Sequence, residues 1–127
     1  MHKILIVEDS TVQALALQEL LEGEGLRVRH APDGVAGVDL AQQWLPDAIV
    51  LDLNLPRMDG FQVCKELQGS AETSHIPIIV LTSRYSASAS RQSLSLGAVE
   101  FIPKGGMMNA VLLETLRQMY IIVDEPN

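Results

Sequence analysis

The sequence has 127 residues, of which 47% are hydrophobic, and its formal net charge is −7 at pH 7. This length suits one domain with one core, and the apolar fraction indicates a globular chain. The acidic balance argues against non-specific binding to nucleic acids or to anionic membrane surfaces. A single cysteine, Cys64, excludes a disulfide framework and a cysteine-rich metal site, so a reducing, cytoplasmic compartment is the default expectation.

Short apolar runs alternate with helical patterns along the chain. The predicted strands are residues 3–7, 26–31, 48–51, 77–81 and 98–102. The first predicted helix follows Ser10 as its N-cap and stops at Gly23 and Gly25, and the others cover residues 35–44, 60–68, 86–96 and 107–123. Strict alternation predicts an α/β fold, in which a parallel sheet carries helices on both faces.

The helices differ in how clearly they show a buried side. In the first helix, apolar residues recur at helical spacing at Val12, Leu15, Ala16, Leu20 and Leu21. In the last helix, the corresponding set is Val111, Leu112, Thr115, Met119 and Ile122. The fourth helix is rich in serine, whose hydroxyl competes for backbone groups. We therefore expect the fourth helix to be marginally stable until a partner or activation orders it.

The polarity of the strands predicts their order in the sheet. Arg27, Arg29, Glu100 and Pro103 lie in or beside the second and fifth strands, and such residues suit sheet edges. The order 2-1-3-4-5 satisfies this requirement and gives a three-layer, doubly wound (βα)5 fold of the flavodoxin type. Residues 1–123 are predicted to form this domain, and residues 124–127 are predicted to be a tail or the start of a linker.

Polar side chains follow the carboxyl ends of four predicted strands. Glu8 and Asp9 leave the first strand, and Asp52 ends the third. Thr82 follows the fourth strand, and Lys104 follows the fifth. Open parallel sheets bind ligands at this rim, where a carboxylate must be paired, bound to a metal or solvated. Each residue alone has an ordinary structural interpretation, but together at equivalent strand ends they form a candidate site.

Four motifs together resemble the receiver domain of two-component response regulators, the CheY-like superfamily. The motifs are Val7-Glu8-Asp9-Ser10, the run from Leu51 to Gly60, the run from Pro77 to Thr82, and the run from Gly97 to Lys104. The resemblance covers essentially the whole chain. It implies that Asp52 accepts a phosphoryl group from a histidine kinase or a histidine phosphotransfer protein. It also implies a signalling domain that catalyses only its own phosphorylation and dephosphorylation.

The resemblance also implies a metal site. Glu8 and Asp9 would hold Mg²⁺, or Mn²⁺ in its place, together with Asp52 and the backbone carbonyl of Asn54. Crowded carboxylates raise one another's pKa values. A raised pKa favours protonation of Asp52, which would make it a weaker nucleophile. A divalent cation with oxygen ligands, together with Lys104, would bring the site near neutrality.

A switch is implied by the same resemblance. Thr82 and Lys104 would contact the phosphoryl oxygens, and Phe101 would turn inward when Thr82 moves, although a plain core phenylalanine is the alternative. Phosphorylation would shift an existing equilibrium at the surface of the fourth helix, fifth strand and fifth helix. That surface would meet a downstream effector or a fused output domain, or form a homodimer, without direct contact to nucleic acid.

The chain departs from the family pattern after the lysine. The family has a proline joined by a cis bond there, whereas Gly105 follows Lys104. A cis bond before a non-proline residue costs about 2.5–4 kcal/mol, so Lys104–Gly105 is predicted to be trans, in a flexible Gly105-Gly106 loop. This departure keeps open a phosphorylation-independent interaction module on the same fold. Arg84, two residues past Thr82, either overhangs the site or is solvated.

Other families fit the residues less well. A flavodoxin would bind a flavin phosphate after the first strand, where Glu8 and Asp9 would repel it. A phosphatase of the haloacid dehalogenase type needs Asp and Thr where this chain has Asn54 and Pro56. The glycine-rich lysine motif of P-loop enzymes is missing. A stand-alone regulator and a receiver from a longer chain both fit the sequence.

Overall fold

The computed structural model describes residues 2–83 and 86–123, so the expectations for Arg84 and for residues 124–127 fall outside the described residues. Within that part, the strands are β1 (Lys3–Val7), β2 (Arg27–Ala31), β3 (Ala48–Asp52), β4 (Ile78–Thr82) and β5 (Ala98–Pro103). The helices are α1 (Thr11–Glu22), α2 (Gly34–Trp44), α3 (Gly60–Gln68), α4 (Ala87–Ser95) and α5 (Met108–Gln118). The predicted alternation of strands and helices is confirmed.

All strand pairs are parallel, and the sheet order is β2-β1-β3-β4-β5, as predicted. In the middle of the sheet, Ile4 of β1 is paired with Val28 of β2 and with Ala48 of β3. The exposed side chains of Arg27 and Arg29 lie on β2, which is an edge strand. The carboxyl ends of all five strands therefore meet at one edge of the sheet.

Alternate side chains of the central strands enter two separate apolar layers. Leu5, Leu51 and Val80 face one layer, which is completed by residues of α2, α3 and α4. Ile6 and Val50 face the other layer, which is completed by residues of α1 and α5. A strand that is buried on both faces needs apolar side chains at successive positions. This requirement explains the apolar runs in the sequence. No helix within the described residues is long and apolar enough to cross a bilayer.

Four helices begin at a side-chain cap. Ser10, Asp33, Asp59 and Ser86 each accept a hydrogen bond from the backbone N–H three residues ahead. Such caps satisfy donors that would otherwise lack a partner in the first helical turn. The Ser10 cap, which the sequence predicts, begins α1 directly after the acidic pair at the end of β1.

Of the apolar residues predicted at helical spacing in α1, Leu21 is buried, but the side that the others predict is wrong. The helix buries Ala14, Leu17 and Leu21, whereas Val12 is 79% exposed and Leu15 is 54% exposed. Apolar residues occur on nearly every side of this helix, so their spacing fits more than one face. Packing of Leu17 and Leu21 into the layer they share with α5 selects the face that is buried.

The predicted end of the last helix is also wrong. The helix α5 stops at Gln118, and Tyr120 adopts the left-handed conformation with φ 60°. The N–H of Tyr120 bonds to the Arg117 carbonyl, and the N–H of Ile121 bonds to the Leu116 carbonyl. This pattern is a Schellman motif, which ends the helix and turns the apolar Ile121 back against the core.

The predicted buried side of α5 needs a related correction. Leu112 and Leu116 are the buried residues of the helix, whereas Val111 is 40% exposed. The predicted side of the helix did not include Leu116, which is fully buried four residues after Leu112. Once the helix ends at Gln118, residues 121 and 122 reach the core from a turn rather than from the helix face.

Candidate functional site

The carboxyl ends of four neighbouring strands carry the predicted site residues to one rim. Asp52 is the last residue of β3, and Thr82 is the last residue of β4. Glu8 and Asp9 directly follow β1, and Lys104 directly follows β5. The backbone N–H of Lys104 donates to the Thr82 carbonyl at 2.9 Å, which joins the ends of β4 and β5.

The side chain of Lys104 links the acidic residues of the rim. Its ammonium nitrogen Nζ lies 2.8 Å from Glu8 Oε1 and 3.1 Å from Asp52 Oδ2. The same nitrogen lies 2.5 Å from Gln13 Oε1. A lysine ammonium has three protons to donate, and here it meets three acceptors. The sequence brings Glu8, Asp52 and Lys104 to one point from positions spread over almost the whole chain.

Asp52 is held through both carboxylate oxygens. Oδ2 accepts from Lys104, and Oδ1 accepts from the backbone N–H of Asn54 at 3.0 Å. Gly60 packs against the turn that follows Asp52. A Cβ atom at this position would lie 2.6 Å from the Cα of Leu53. Only glycine allows α3 to begin this close to the Asp52 turn. Asp52 is 7% exposed, and these contacts give its carboxylate a defined orientation.

Burial shapes the charge of the site. Glu8 is 2% exposed, and this burial raises the pKa of its carboxyl to about 7, an effect that Asp52 increases and Lys104 opposes. Burial lowers the pKa of Lys104, but the hydrogen bonds and charges of Glu8 and Asp52 outweigh it and leave that pKa raised. Lys104 is therefore the stable cation of the cluster at neutral pH.

The acidic residues fit a divalent cation. Glu8, Asp9 and Asp52 each offer a carboxylate oxygen, and these oxygens lie within 4.8 Å of one another. Glu8 Oε2 is buried and has no hydrogen-bond partner among the described residues. Asp9 is exposed and lines an open cleft of about 380 Å³ together with Asn54, so the cluster is reached from solvent. Oxygen donors are the ligands that Mg²⁺ prefers.

The residues predicted to form the switch are both buried. Thr82 is fully buried at the end of β4. Phe101 is 8% exposed on β5, where it pairs with Val80 and packs into the layer formed with α2, α3 and α4. The described residues contain no cis peptide bond, so the Lys104–Gly105 bond is trans, as predicted.

Two neighbours of the site were not predicted from the sequence. Gln13 bonds to Lys104, and His30 Nε2 lies 2.6 Å from the carbonyl oxygen of Glu8, which its ring N–H can reach as a donor. The position of Gln13 in the first turn of α1, three residues after the Ser10 cap, could have placed it near the acids. His30 lies near the end of β2, which pairs with β1, and this position could likewise have placed it near the acids.

Comparison with known proteins identifies the family. The family model described as the response regulator receiver domain matches residues 4–117. Response regulator MprA of Mycobacterium tuberculosis (strain ATCC 25177 / H37Ra) is 39% identical over 102 residues, which are 80% of this chain and 44% of MprA. The chain thus spans less than half the length of this curated relative.

Solved receiver structures share the fold along nearly the whole chain. The receiver domain of a signal transduction histidine kinase from Syntrophus aciditrophicus has TM-score 0.85 and 33% identity, covering 100% of this chain and 96% of that one. The receiver domain of sensor histidine kinase PA1611 from Pseudomonas aeruginosa PAO1, with a magnesium ion in its active site cleft, has TM-score 0.83 and 29% identity, covering 92% and 95%. The chain therefore belongs to the response regulator receiver domain family and is a signalling domain of two-component systems.

Proposed function

We propose that Asp52 is the phosphoacceptor and that it takes the phosphoryl group from a histidine kinase or a histidine phosphotransfer protein. The observation that carries the proposal is the orientation of this carboxylate, which Lys104 and the Asn54 N–H hold at the end of β3. In the transfer, a carboxylate oxygen of Asp52 forms a bond to phosphorus as the bond between phosphorus and the donor imidazole breaks. Phosphoryl transfer depends mainly on positioning and charge stabilisation, which this cluster supplies.

We infer that Mg²⁺ is held by Glu8, Asp9 and Asp52 with the backbone carbonyl of Asn54. The closeness of the three carboxylates and the unpaired, buried Glu8 Oε2 support this inference. When bound, the cation supplies positive charge that offsets the carboxylates and the incoming phosphoryl oxygens. Mn²⁺ accepts oxygen ligands as well and is expected to substitute.

The positions of Lys104 and Thr82 at the strand ends support the roles that we propose for them. The Lys104 ammonium already contacts Asp52 Oδ2, so it is placed to pair with a phosphoryl oxygen after transfer. The Thr82 hydroxyl is proposed to donate to a second phosphoryl oxygen, and Phe101 to respond to the movement of Thr82. Lys104 reaches Asp52 although Gly105 follows it, so the glycine does not favour a phosphorylation-independent module.

The proposed output surface is formed by α4, β5 and α5. It carries exposed apolar side chains on all three elements, with Leu94 at 47%, Val99 at 52% and Val111 at 40% exposure. An effector, a fused output domain or a second copy of the chain is the expected partner of this surface. The net charge of −7 disfavours direct contact with nucleic acid, and a cytoplasmic location remains the expectation. The domain is expected to catalyse only its own phosphorylation and dephosphorylation.

Intact mass spectrometry after incubation with acetyl phosphate and Mg²⁺ tests the proposal. We expect one labile phosphoryl group on the unmodified chain and on Asp47→Asn, which alters an exposed aspartate outside the site. Asp52→Asn should take up none, and chelation of the metal should abolish uptake by every variant. Equal uptake by Asp52→Asn, or none by a folded, metal-loaded wild type, would contradict the proposal.

A further inference from the structure

The loop that follows Lys104 does little to restrict the position of the lysine side chain. Gly105 and Gly106 follow it, and a Cβ atom added at either glycine would meet nothing within 4 Å. Two successive glycines allow more backbone conformations than other residues. The lysine side chain adds a flexible stem of four carbons. The position of the ammonium therefore depends on the groups that accept its hydrogen bonds.

Gln13 is one of these groups, and it comes from a well-anchored element. It lies in the first turn of α1, next to Ala14, which is buried, and its N–H bonds to the Ser10 cap at 3.3 Å. The spacing of Ser10 and Gln13 is that of a capping box, in which the glutamine side chain would return to the Ser10 backbone. Here the carboxamide oxygen instead accepts from Lys104 at 2.5 Å.

We propose that Gln13 is a positioning residue that holds the Lys104 ammonium toward Asp52 in place of a rigid loop. This inference rests on the proposed phosphoacceptor function. Three acceptors share the three ammonium protons, so Glu8 and Gln13 fix two of them and direct the third to Asp52. After transfer, the third proton faces the phosphoryl oxygen.

A neutral acceptor suits this position better than an acid. The site already contains the carboxylates of Glu8, Asp9 and Asp52 within a few ångströms of one another. A fourth carboxylate would add to their repulsion and raise their pKa values further. The carboxamide oxygen of Gln13 fixes the ammonium without adding charge.

The test must separate positioning from contact with a protein partner. Gln13 also lines an open groove of about 240 Å³ between α1 and α5, so its substitution could affect docking of a phosphodonor protein. Acetyl phosphate avoids this ambiguity because it is a small molecule that needs no docking surface. The rate of phosphorylation by acetyl phosphate with Mg²⁺, followed by intact mass, is the appropriate measurement.

The variants form a double-mutant cycle with an internal control. Gln13→Met keeps the side-chain length and removes the acceptor, and it should slow phosphorylation about three- to tenfold, which corresponds to the net contribution of one typical hydrogen bond. Gln18→Met makes the same change further along α1 and should leave the rate unchanged. In a Lys104→Ala background, Gln13→Met should have no further effect, since Gln13 acts through Lys104.

A second variant tests the link to the flexible loop. Gly105→Pro restricts the backbone after Lys104. If Gln13 compensates for the freedom of this loop, Gly105→Pro should recover part of the rate lost in Gln13→Met. Recovery confined to the Gln13→Met background would support the proposal, whereas no recovery, or an equal gain in the wild type from a general effect of the proline, would contradict the link to the loop.

The outcomes separate the inference from the function on which it rests. A wild-type rate in Gln13→Met, or an equal slowing with and without Lys104, would overturn the positioning role while Asp52 remained the phosphoacceptor. A folded wild type that takes up no phosphoryl group would overturn the proposed function and this inference together. Slowing that disappears in the Lys104→Ala background would support both.

Discussion

Within residues 2–83 and 86–123, the acidic cluster holds more negative charge than its neighbours neutralise. Lys104 forms ion pairs with Glu8 and Asp52, and Asp9 adds another carboxylate nearby. The result is a buried Glu8 whose pKa is raised to about 7 by burial first and by Asp52 second. Such crowding disfavours the metal-free fold and at the same time prepares the site for a divalent cation.

The raised pKa of Glu8 predicts how stability without metal depends on pH. The folded state binds the Glu8 proton more tightly than the unfolded state, so this contribution is complete below pH 4.5 and is lost as pH rises through about 7. The change in pKa from 4.5 to about 7 corresponds to at most about 3 kcal/mol. Urea unfolding with chelator, from pH 4 to pH 8, measures it.

The comparison with Glu8→Gln isolates this contribution. Relative to Glu8→Gln, the free energy of unfolding of the wild type should fall as pH rises between about 4.5 and 7. Glu19→Gln, an exposed change on α1, serves as the control and should follow the wild type. A constant difference between wild type and Glu8→Gln across this range would show that Glu8 titrates normally.

Among the helices, α4 buries the fewest residues against the core. The structure describes this helix in full, and Ser93 is its one buried residue, whereas α3 buries Gly60, Val63, Cys64 and Leu67. The Ser86 cap lets α4 form, but packing contributes most of the stability of short helices. The sequence indicated this weakness through its serine content, and marginal stability remains a prediction.

Amide hydrogen exchange tests the stability of α4 directly. Amides of α4 should exchange faster than amides of α3, because local opening of α4 exposes little apolar surface. Bound Mg²⁺ and beryllofluoride should slow the exchange of α4 if activation orders it. Protection of α4 equal to that of α3 in the free protein would count against the prediction.

The buried hydroxyl of Ser93 offers a second test of α4. Its Oγ has no hydrogen-bond partner among the described residues, and a buried polar group without a partner is destabilising. Ser93→Ala should therefore raise the free energy of unfolding by about 1 kcal/mol, measured by urea denaturation. Ser88 lies on the exposed side of α4, so Ser88→Ala measures only the gain in stability that comes from the higher helix propensity of alanine. Equal gains from both changes would contradict the interpretation.

The end of α5 yields a prediction about packing. Leu116 is fully buried and its carbonyl anchors the Schellman motif, whereas Val111 is 40% exposed on the same helix. Leu116→Ala should lower the free energy of unfolding by about 2–5 kcal/mol, and Val111→Ala should change it by less than about 1 kcal/mol. Thermal and urea denaturation measure both changes. A larger loss from Val111→Ala would restore the side of the helix that the sequence predicted.

Across the whole domain, the alternation of apolar runs and helical patterns predicted the parallel sheet, and the polarity of the second and fifth strands predicted the order of its strands. The residues at strand ends followed from that order, because parallel strands present their carboxyl ends together. Details that depend on packing did not follow. The apolar residues of α1 lie on nearly every side of the helix and concealed its buried side, and the contact between Gln13 and Lys104 joins positions 91 residues apart. The spacing of residues in the sequence reveals neither which side of α1 is buried nor that Gln13 contacts Lys104.

Metal binding should stabilise the whole domain. A ligand that binds only the folded state adds about 2.7 kcal/mol to its stability when present at about a hundred times its Kd. Mg²⁺ should therefore raise the melting temperature, and chelation should reverse this effect. Asp9→Ala, at an exposed position of the cluster, should weaken the response, whereas Asp47→Ala should retain it. An undiminished response in Asp9→Ala would place the metal elsewhere.

The most direct test of Asp52 as the phosphoacceptor locates the phosphoryl group. Borohydride reduces an aspartyl phosphate to homoserine, and peptide mass spectrometry of the phosphorylated, reduced chain then identifies the modified residue. We expect modification at Asp52 alone, since the Lys104 ammonium and the Asn54 N–H orient this carboxylate. Modification at Glu8 or Asp9 instead, or no modification in a folded chain with bound Mg²⁺, would contradict it.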